Sequence, residues 1–161
     1  MSTTPLPNAL QTREVVEGLL GREMTVLTGG PMVDPAGPGG AVVAEYVSDQ
    51  MRLAALVVMD LPMAARAGAA IALMPSSASE AAVADGELTD VLLENAGEIL
   101  NVLASLFNAD GAPHLRLNAV HAPNTSLPTD VAPWVMAYVA RIDLECEITG
   151  YGPGSLSVLV L

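Results

Sequence analysis

The chain has 161 residues, of which 52% are hydrophobic and only 3% are aromatic. Six basic residues, all of them arginine, stand against eighteen acidic ones, so the formal net charge is -12. This balance argues against binding to nucleic acid or to an anionic membrane surface, because both depend on basic residues. A single domain with a core of small aliphatic side chains is expected, and its partner is a protein or a small ligand.

The cysteine content and the lengths of the apolar segments indicate the cellular compartment of the protein. Cys146 is the only cysteine, so an internal disulfide is impossible and a reducing environment is the simplest expectation. The N-terminal residues contain no basic segment followed by an apolar run, as a secretory signal would. The most apolar stretches, residues 53–59 and 156–161, are far shorter than the about 20 residues of a membrane-spanning helix. We therefore predict one cytoplasmic domain over residues 1–161.

The first forty residues divide into a start without structure, a helix, a strand and a loop. Residues 1–8 are polar with spaced prolines, and we expect them to be disordered. Helical spacing of apolar residues predicts a helix over 10–20, which Gly21 ends, and 24–27 predicts a short strand. Residues 29–40 hold three Pro and five Gly and are predicted to form a mobile loop. No Lys follows these glycines, so they do not indicate a phosphate-binding loop.

The middle of the chain begins with a hairpin and a helix. Two β-rich runs, residues 41–47 and 52–59, predict the hairpin. Asp60 is placed to cap the following helix, and Pro62 stands in its first turn, where a missing N–H costs little. We expect this alanine-rich helix to extend over residues 62–73.

The strongest helical pattern of the sequence lies between two breaks. Residues 75–86 are interpreted as a flexible link with room for one helical turn. Asp85 is placed to cap a long helix over residues 87–108, which contains no Pro. The Ala-Asp-Gly-Ala-Pro sequence that follows ends this helix.

The remainder of the sequence predicts strands. Alternating apolar residues indicate strands at 115–121 and 155–161, and a long strand whose apolar face runs from Trp134 to Leu144. The order of the elements predicts an α+β fold, in which a largely antiparallel β-sheet packs against helices and one helix is long.

The long helix carries its polar residues on one narrow stripe. At about 100° per residue, their spacing confines them to about one quarter of the helix circumference. No basic residue interrupts them, although a solvated helix usually pairs Glu with Lys or Arg. Carboxylates near the N-terminal half also suit the helix dipole, so an ordinary solvated face remains an alternative at this point. The stripe consists of Glu87, Asp90, Glu94, Glu98, Asn101, Ser105 and Asn108.

Part of this stripe has the spacing of a known motif. Glu98 and Asn101 form a Glu-x-x-Asn sequence, Glu94 lies one turn earlier, and Pro123 follows after twenty-one intervening residues. This arrangement resembles the motif of the CheC/CheX/FliY family of chemotaxis phosphatases, which reads Asp or Ser, three residues, Glu, two residues, Asn, about twenty-two residues, Pro. Two positions depart from the family: Glu94 replaces Asp or Ser, and Ser105 stands where Gly often follows. The chain has a single motif, as CheX-like members do.

The resemblance implies a CheX/CheC-like fold and a phosphatase for a phosphorylated CheY-like response regulator in chemotaxis or two-component signalling. It implies that Asn101 orients the attacking water and that Glu98 docks on the regulator's Lys. Glu94, Ser105 and Pro123 are expected to contact the partner. No metal or cofactor of its own is expected, since the response regulator supplies the Mg²⁺.

The sequence also allows a dimer and a role without catalysis. CheX-like proteins can dimerise by pairing sheet edges, and the last strand is the candidate edge here. A catalytically inactive CheX-fold binding or scaffold module stays open as the alternative, because Glu94 departs from the motif and a second motif is missing. His114 and His121 lack further ligands for a metal site, and the absence of a Gly-x-Ser-x-Gly sequence argues against a serine hydrolase.

Overall fold

A computed structural model describes residues 3–161, and its order of elements is that of an α+β fold. The helices and strands are α1 Ala9–Leu20, β1 Met24–Thr28, β2 Ala41–Val47, β3 Leu53–Asp60, α2 Leu61–Ile71, α3 Ser76–Asp85, α4 Asp90–Leu103 with a 3₁₀ extension Ala104–Phe107, β4 Arg116–His121, a 3₁₀ turn Ala132–Trp134, β5 Ala140–Ile148 and β6 Gly152–Val160.

The six strands form one sheet in the order β1-β5-β6-β3-β2-β4, and every neighbouring pair is antiparallel. The predicted antiparallel sheet, including the hairpin of β2 and β3, is confirmed. The prediction that the last strand forms an exposed edge is wrong, because β6 hydrogen-bonds to β5 on one side and to β3 on the other. A dimer that pairs sheet edges would have to use β1 or β4.

Helices α1, α2 and α4 cover one face of the sheet, which we call the front face. Val42, Ala44 and Tyr46 of β2 point to this face, as the two-residue period of a strand requires. The layer between sheet and helices contains mostly Ala, Val, Leu and Met side chains with little exposed area. Small side chains allow helix and sheet to approach closely, which agrees with the aromatic-poor composition.

Loops rather than helices cover the other face of the sheet, which we call the back face. Val33 of the loop 29–40 and Val131 and Val135 of the connection before β5 pack on this face. Every residue of β2 is therefore buried, on whichever side it points. Val33 is anchored by its backbone N–H, which donates to the Ser157 hydroxyl at 3.1 Å.

A charged cluster holds the second of these loops to the back face. The guanidinium of Arg141 binds the Asp143 carboxylate at 2.9 Å and donates to the backbone carbonyls of Val135 and Ala137. The Ser157 hydroxyl also donates to Asp143, at 2.7 Å. We call Arg141, Asp143 and Ser157 the back-face cluster. Because Arg141 and Asp143 are both largely buried, the cluster neutralises charge inside the fold.

The predicted long strand from Trp134 to Leu144 is wrong at its beginning, since β5 begins at Ala140. A 3₁₀ turn occupies Ala132–Trp134. The Arg141 guanidinium then binds the carbonyls of Val135 and Ala137, so these residues lie over the back face and not in the strand. The buried residues here are Val131 and Val135, which are four residues apart, as in a helical turn. The alternation of apolar residues in the sequence did not indicate this spacing.

The segment between the second and fourth helices also differs from prediction. Residues 76–85, expected as part of a flexible link, form α3, which Gly86 ends in a left-handed conformation. Ala82 of α3 packs with alanines of α2, and these small side chains gave only a weak amphipathic signal in the sequence. Asp85 ends α3 and does not cap α4; that role belongs to Thr89. The predicted cap of α2 is confirmed, as Asp60 accepts from the Met63 N–H at 2.8 Å.

The N-terminal segment is only partly described. Residues 1–2 of the predicted disordered stretch lie outside the described residues, and residues 3–7 have no regular secondary structure. Asn8 caps α1 through a reciprocal pair of bonds with Gln11. Within residues 3–161, no helix combines the length and the apolar character needed to cross a membrane.

Candidate functional site

Helix α4 is fixed in place by an apolar stripe and by its N-cap. The Thr89 hydroxyl accepts from the Leu92 N–H at 3.2 Å, which satisfies one of the free N–H groups at the helix start. Asp90 in the first turn faces the positive end of the helix dipole. The residues that bury α4 against the sheet and α2 are Leu92, Ala96, Ile99, Leu100 and Leu103.

A close contact with α2 sets the position of α4. A Cβ added to Gly68 would lie 2.7 Å from the carbonyl oxygen of Leu92, so only glycine permits the two helices to approach this closely. Asn95 strengthens the crossing, because its side-chain amide donates to the Gly68 carbonyl at 2.9 Å. The N-terminal half of α4 is thereby locked to α2.

Tyr46 supports the C-terminal half of α4 from the sheet. Its hydroxyl donates to the Leu100 carbonyl at 2.6 Å, close to the C-terminal end of α4. Its ring lies 5.1 Å from the ring of Phe107. Burial raises the pKa of Tyr46 far above its ordinary value, so the hydroxyl stays a neutral donor at physiological pH. The backbone next to Asn101 is therefore held firmly.

The structure places the predicted motif residues on the outer surface of α4. Glu94, Glu98, Asn101 and Ser105 are all exposed. Glu98 and Asn101 belong to one uninterrupted α-helix and lie three residues apart, so their side chains project from the same face. Among residues 3–161, the ion pairs are Arg13–Glu17, Arg66–Glu80, His121–Glu45 and Arg141–Asp143, and none of them includes Glu94 or Glu98.

The C-terminal end of the predicted polar stripe has a structural role. Asn108 lies beyond the helix, and its amide bonds both backbone groups of Leu115, at 2.8 and 3.1 Å. It anchors the chain at the start of β4. Ser105, in the 3₁₀ extension, borders a groove of about 460 Å³ between α4 and α1, lined by Gln11, Glu14, Val15, Leu106 and Asn108 among others.

Pro123 lies in a turn outside the helices and strands. It follows β4, whose last residue His121 pairs with Val43. A Cβ added to Gly40 would lie 2.9 Å from the backbone nitrogen of Asn124, so this turn packs against the residues that precede β2. Tyr46, which supports α4, is near the opposite end of β2.

The two histidines and the single cysteine are candidate reactive groups outside α4. His121 bonds the Glu45 carboxylate, and His114 is exposed. In the described part of the chain, no three His, Cys, Asp or Glu side chains are grouped as a metal site would require. Burial raises the pKa of the Cys146 thiol to about 12, with a smaller contribution from the charge of Asp60, so the thiol is neutral at physiological pH.

Asn95 and Tyr46 were not singled out by the sequence pattern, although both position the motif. Asn95 lies just outside the predicted polar stripe. Tyr46 has one signal that was available, because a tyrosine in an otherwise aliphatic buried strand needs a hydrogen-bond partner for its hydroxyl. Its partner, Leu100, is 54 residues away in the chain, and only the fold identifies it.

Comparison with known proteins relates this geometry to solved structures. No family model and no curated protein matches the sequence. FliY from Thermotoga maritima aligns with a TM-score of 0.58 and 18% identity, over 92% of this chain and 82% of that chain. A chain of the FliG–FliM complex from H. pylori aligns at 0.56 and 12% identity, over 93% and 84%. A chemotactic CheC-like protein from Shewanella oneidensis MR-1 aligns at 0.50 and 14% identity, over 93% of each chain.

These alignments show that the chain has a CheC/CheX/FliY-like fold, as the sequence predicted. Chemically, the outer edge of α4 offers one carboxylate that can pair with a base and one amide that can both donate and accept hydrogen bonds. Neither group is occupied by a salt bridge within residues 3–161.

Proposed function

We propose that this protein accelerates the dephosphorylation of a phosphorylated CheY-like response regulator in chemotaxis or two-component signalling. The observation that carries the proposal is the exposure of Glu98 and Asn101 together on one face of a firmly held helix. A flexible loop would have to be ordered on binding, whereas this helix presents both groups in advance.

The reaction is the hydrolysis of an acyl phosphate on the regulator. The oxygen of a water molecule attacks phosphorus, the bond between phosphorus and the acyl oxygen breaks, and its electron pair leaves with the aspartate carboxylate. Both protons of the water end on dihydrogen phosphate, so charge and atoms balance. The regulator supplies the Mg²⁺ and Lys that compensate charge on the phosphoryl group, and the helix has only to position the water.

Asn101 is assigned to the water and Glu98 to the regulator. The amide oxygen accepts a hydrogen bond from the water while the amide nitrogen donates to a neighbouring oxygen, and the group does not titrate near neutral pH. Glu98, one turn earlier, pairs with the regulator's Lys and fixes the register in which Asn101 enters the site. Glu94 and Ser105 flank these two groups on the same helix edge and contact the regulator's surface. Pro123, in the turn after β4, is also expected to contact the regulator.

The test is a turnover assay with response regulators of the source organism, each phosphorylated by a small-molecule phosphodonor. Wild-type protein should speed loss of the phosphoryl group. Asn101→Ala should reduce the acceleration by about 100-fold, because it removes a positioning group, while binding to the regulator is retained. Glu98→Ala should weaken both binding and turnover.

Two exposed residues away from α4 provide matched controls. Asn118→Ala on β4 removes the same amide, and Glu147→Ala on β5 removes the same carboxylate. Both should behave as wild type. Failure of the wild-type protein to accelerate dephosphorylation of any of the regulators would contradict the proposal.

A second candidate is a catalytically inactive binding or scaffold module. Glu94 in place of the motif's Asp or Ser favours it, as does the fold likeness to a chain of the FliG–FliM complex. Such a module would bind the regulator without speeding its dephosphorylation, and Asn101→Ala would then change neither property.

A further inference from the structure

The outer surface of α4 has an apolar side that the motif does not use. Val91 is 53% exposed and Val102 is 42% exposed. At about 100° per residue they lie about 20° and 40° to one side of Glu98, whereas Glu94 and Asn101 lie about 40° and 60° to the other side. The helix edge is therefore polar on one flank and aliphatic on the opposite flank, with Glu98 between them.

Neither helix propensity nor side-chain burial explains why positions 91 and 102 are valines. Valine is a weaker helix former than Ala, Leu, Glu or Gln, so an exposed helix position gains nothing from it. Single exposed apolar residues are common on protein surfaces, but these two share one side of one helix. They lie about 16 Å apart along the helix at 1.5 Å per residue.

The aliphatic flank continues toward a concave surface. Leu106 follows Val102 by one turn, and it lines the groove between α1 and the 3₁₀ extension together with Val15 and Ser105. Leu106 and Val15 are only partly buried. An apolar contact that begins at Val91 can thus run beside Glu98 and end in this groove.

The charges on the outer surface of α4 indicate which partner can bind there. Asp90 and Glu94 line the polar flank beside Glu98, and no base of residues 3–161 pairs with either glutamate. A second copy of this chain docked by the same edge would bring like charges together, which is unfavourable. A protein that presents a lysine beside aliphatic side chains would match both flanks.

We propose that Val91 and Val102 form an apolar docking flank that sets the affinity for the response regulator, separately from the Glu98–Asn101 pair that acts on its phosphoryl group. This inference rests on the proposed function. It assigns the regulator an aliphatic patch next to the lysine that Glu98 contacts. Affinity and turnover are then carried by different sides of one helix.

The test variant is Val91→Thr combined with Val102→Thr. Threonine keeps the β-branched shape and has a similar helix propensity, so α4 should fold unchanged. The concentration of regulator at half-maximal rate should rise about tenfold, while the maximal rate stays within about twofold of wild type. Binding to the regulator loaded with beryllium trifluoride, a non-hydrolysable phosphoryl mimic, should weaken by the same factor.

Leu27→Thr is the matched control, because Leu27 is 60% exposed on the edge strand β1 and not on α4. If the double variant binds the regulator as tightly as wild type and accelerates dephosphorylation equally well, the docking flank is contradicted and the proposed phosphatase function is not affected. If the double variant binds the regulator more weakly but the wild-type protein does not accelerate dephosphorylation, the docking flank is supported and the proposed phosphatase function is contradicted. If the wild-type protein forms a dimer and the double variant is a monomer, the flank binds a second copy of the chain and not the regulator. The proposal is also wrong if the wild-type protein does not bind the regulator.

Discussion

Two polar regions of this molecule are built in opposite ways. The back-face cluster buries Arg141 and Asp143 and satisfies both with a mutual ion pair, a serine and loop carbonyls. The outer edge of α4 exposes Glu98 and Asn101 and leaves the carboxylate outside every ion pair of residues 3–161. Paired buried charge holds loops in place, whereas exposed groups on a rigid element remain available to another molecule.

Most of the basic side chains are already bound within the fold. Five of the six arginines have bonds or ion pairs within the fold: Arg13, Arg22, Arg66, Arg116 and Arg141. Their partners lie on other helices, strands and loops, and the polar edge of α4 has only acidic and neutral polar groups.

Removing the buried base should have the largest effect on stability. Arg141→Ala leaves Asp143 buried with only the serine as a partner and frees two loop carbonyls. The free energy of unfolding should fall by about 3–5 kcal/mol, measured by chemical denaturation. Arg116→Ala, which removes an exposed arginine, should change it by less than about 0.5 kcal/mol. Equal effects of the two variants would show that the back-face cluster does not stabilise the fold.

The next largest effect concerns the support beneath the helix edge. Tyr46→Phe deletes the hydroxyl that donates to Leu100 and should lower the free energy of unfolding by about 1–3 kcal/mol. Tyr138→Phe is the control, because Tyr138 is 95% exposed and loses a hydroxyl that faces water. Protection of the Leu103 and Ala104 amides from hydrogen exchange should drop in the first variant only. Unchanged stability of Tyr46→Phe would mean that α4 does not depend on this bond.

A smaller effect should appear at alkaline pH. The folded state raises the pKa of Cys146 from 9.0 to about 12, so the unfolded chain loses this proton first. The stabilisation is complete below pH 9 and disappears as the pH rises toward 12. Between pH 8 and 10 the free energy of unfolding should decrease by about 1 kcal/mol more in wild type than in Cys146→Ala. Parallel curves for the two proteins would contradict the shifted pKa.

The smallest effect on stability is expected at the helix edge itself. Asn101→Ala should alter the free energy of unfolding by less than about 0.5 kcal/mol, because the side chain is exposed and alanine favours the helix. Asn95→Ala on the same helix removes the bond to Gly68 and should cost about 1 kcal/mol. If Asn101→Ala were the more damaging of the two, Asn101 would belong to the fold and not to the docking surface.

Much of the fold could be predicted from the sequence because its elements carry strong local signals. The hairpin of β2 and β3, the Asp60 cap and the polar edge of α4 follow from alternation, capping chemistry and helical periodicity. Helix α3 was missed, since small alanine and serine side chains give little amphipathic contrast even when they pack against α2.

For the candidate site, the sequence by itself determined that Glu94, Glu98 and Asn101 share one face of a helix, because three- and four-residue spacings fix that relation locally. Only the tertiary structure decided that β6 is internal and that Asn95 and Tyr46 hold the helix. These relations join residues far apart in the chain. No local spacing encodes them, and they arise only when sheet order and helix packing are set together.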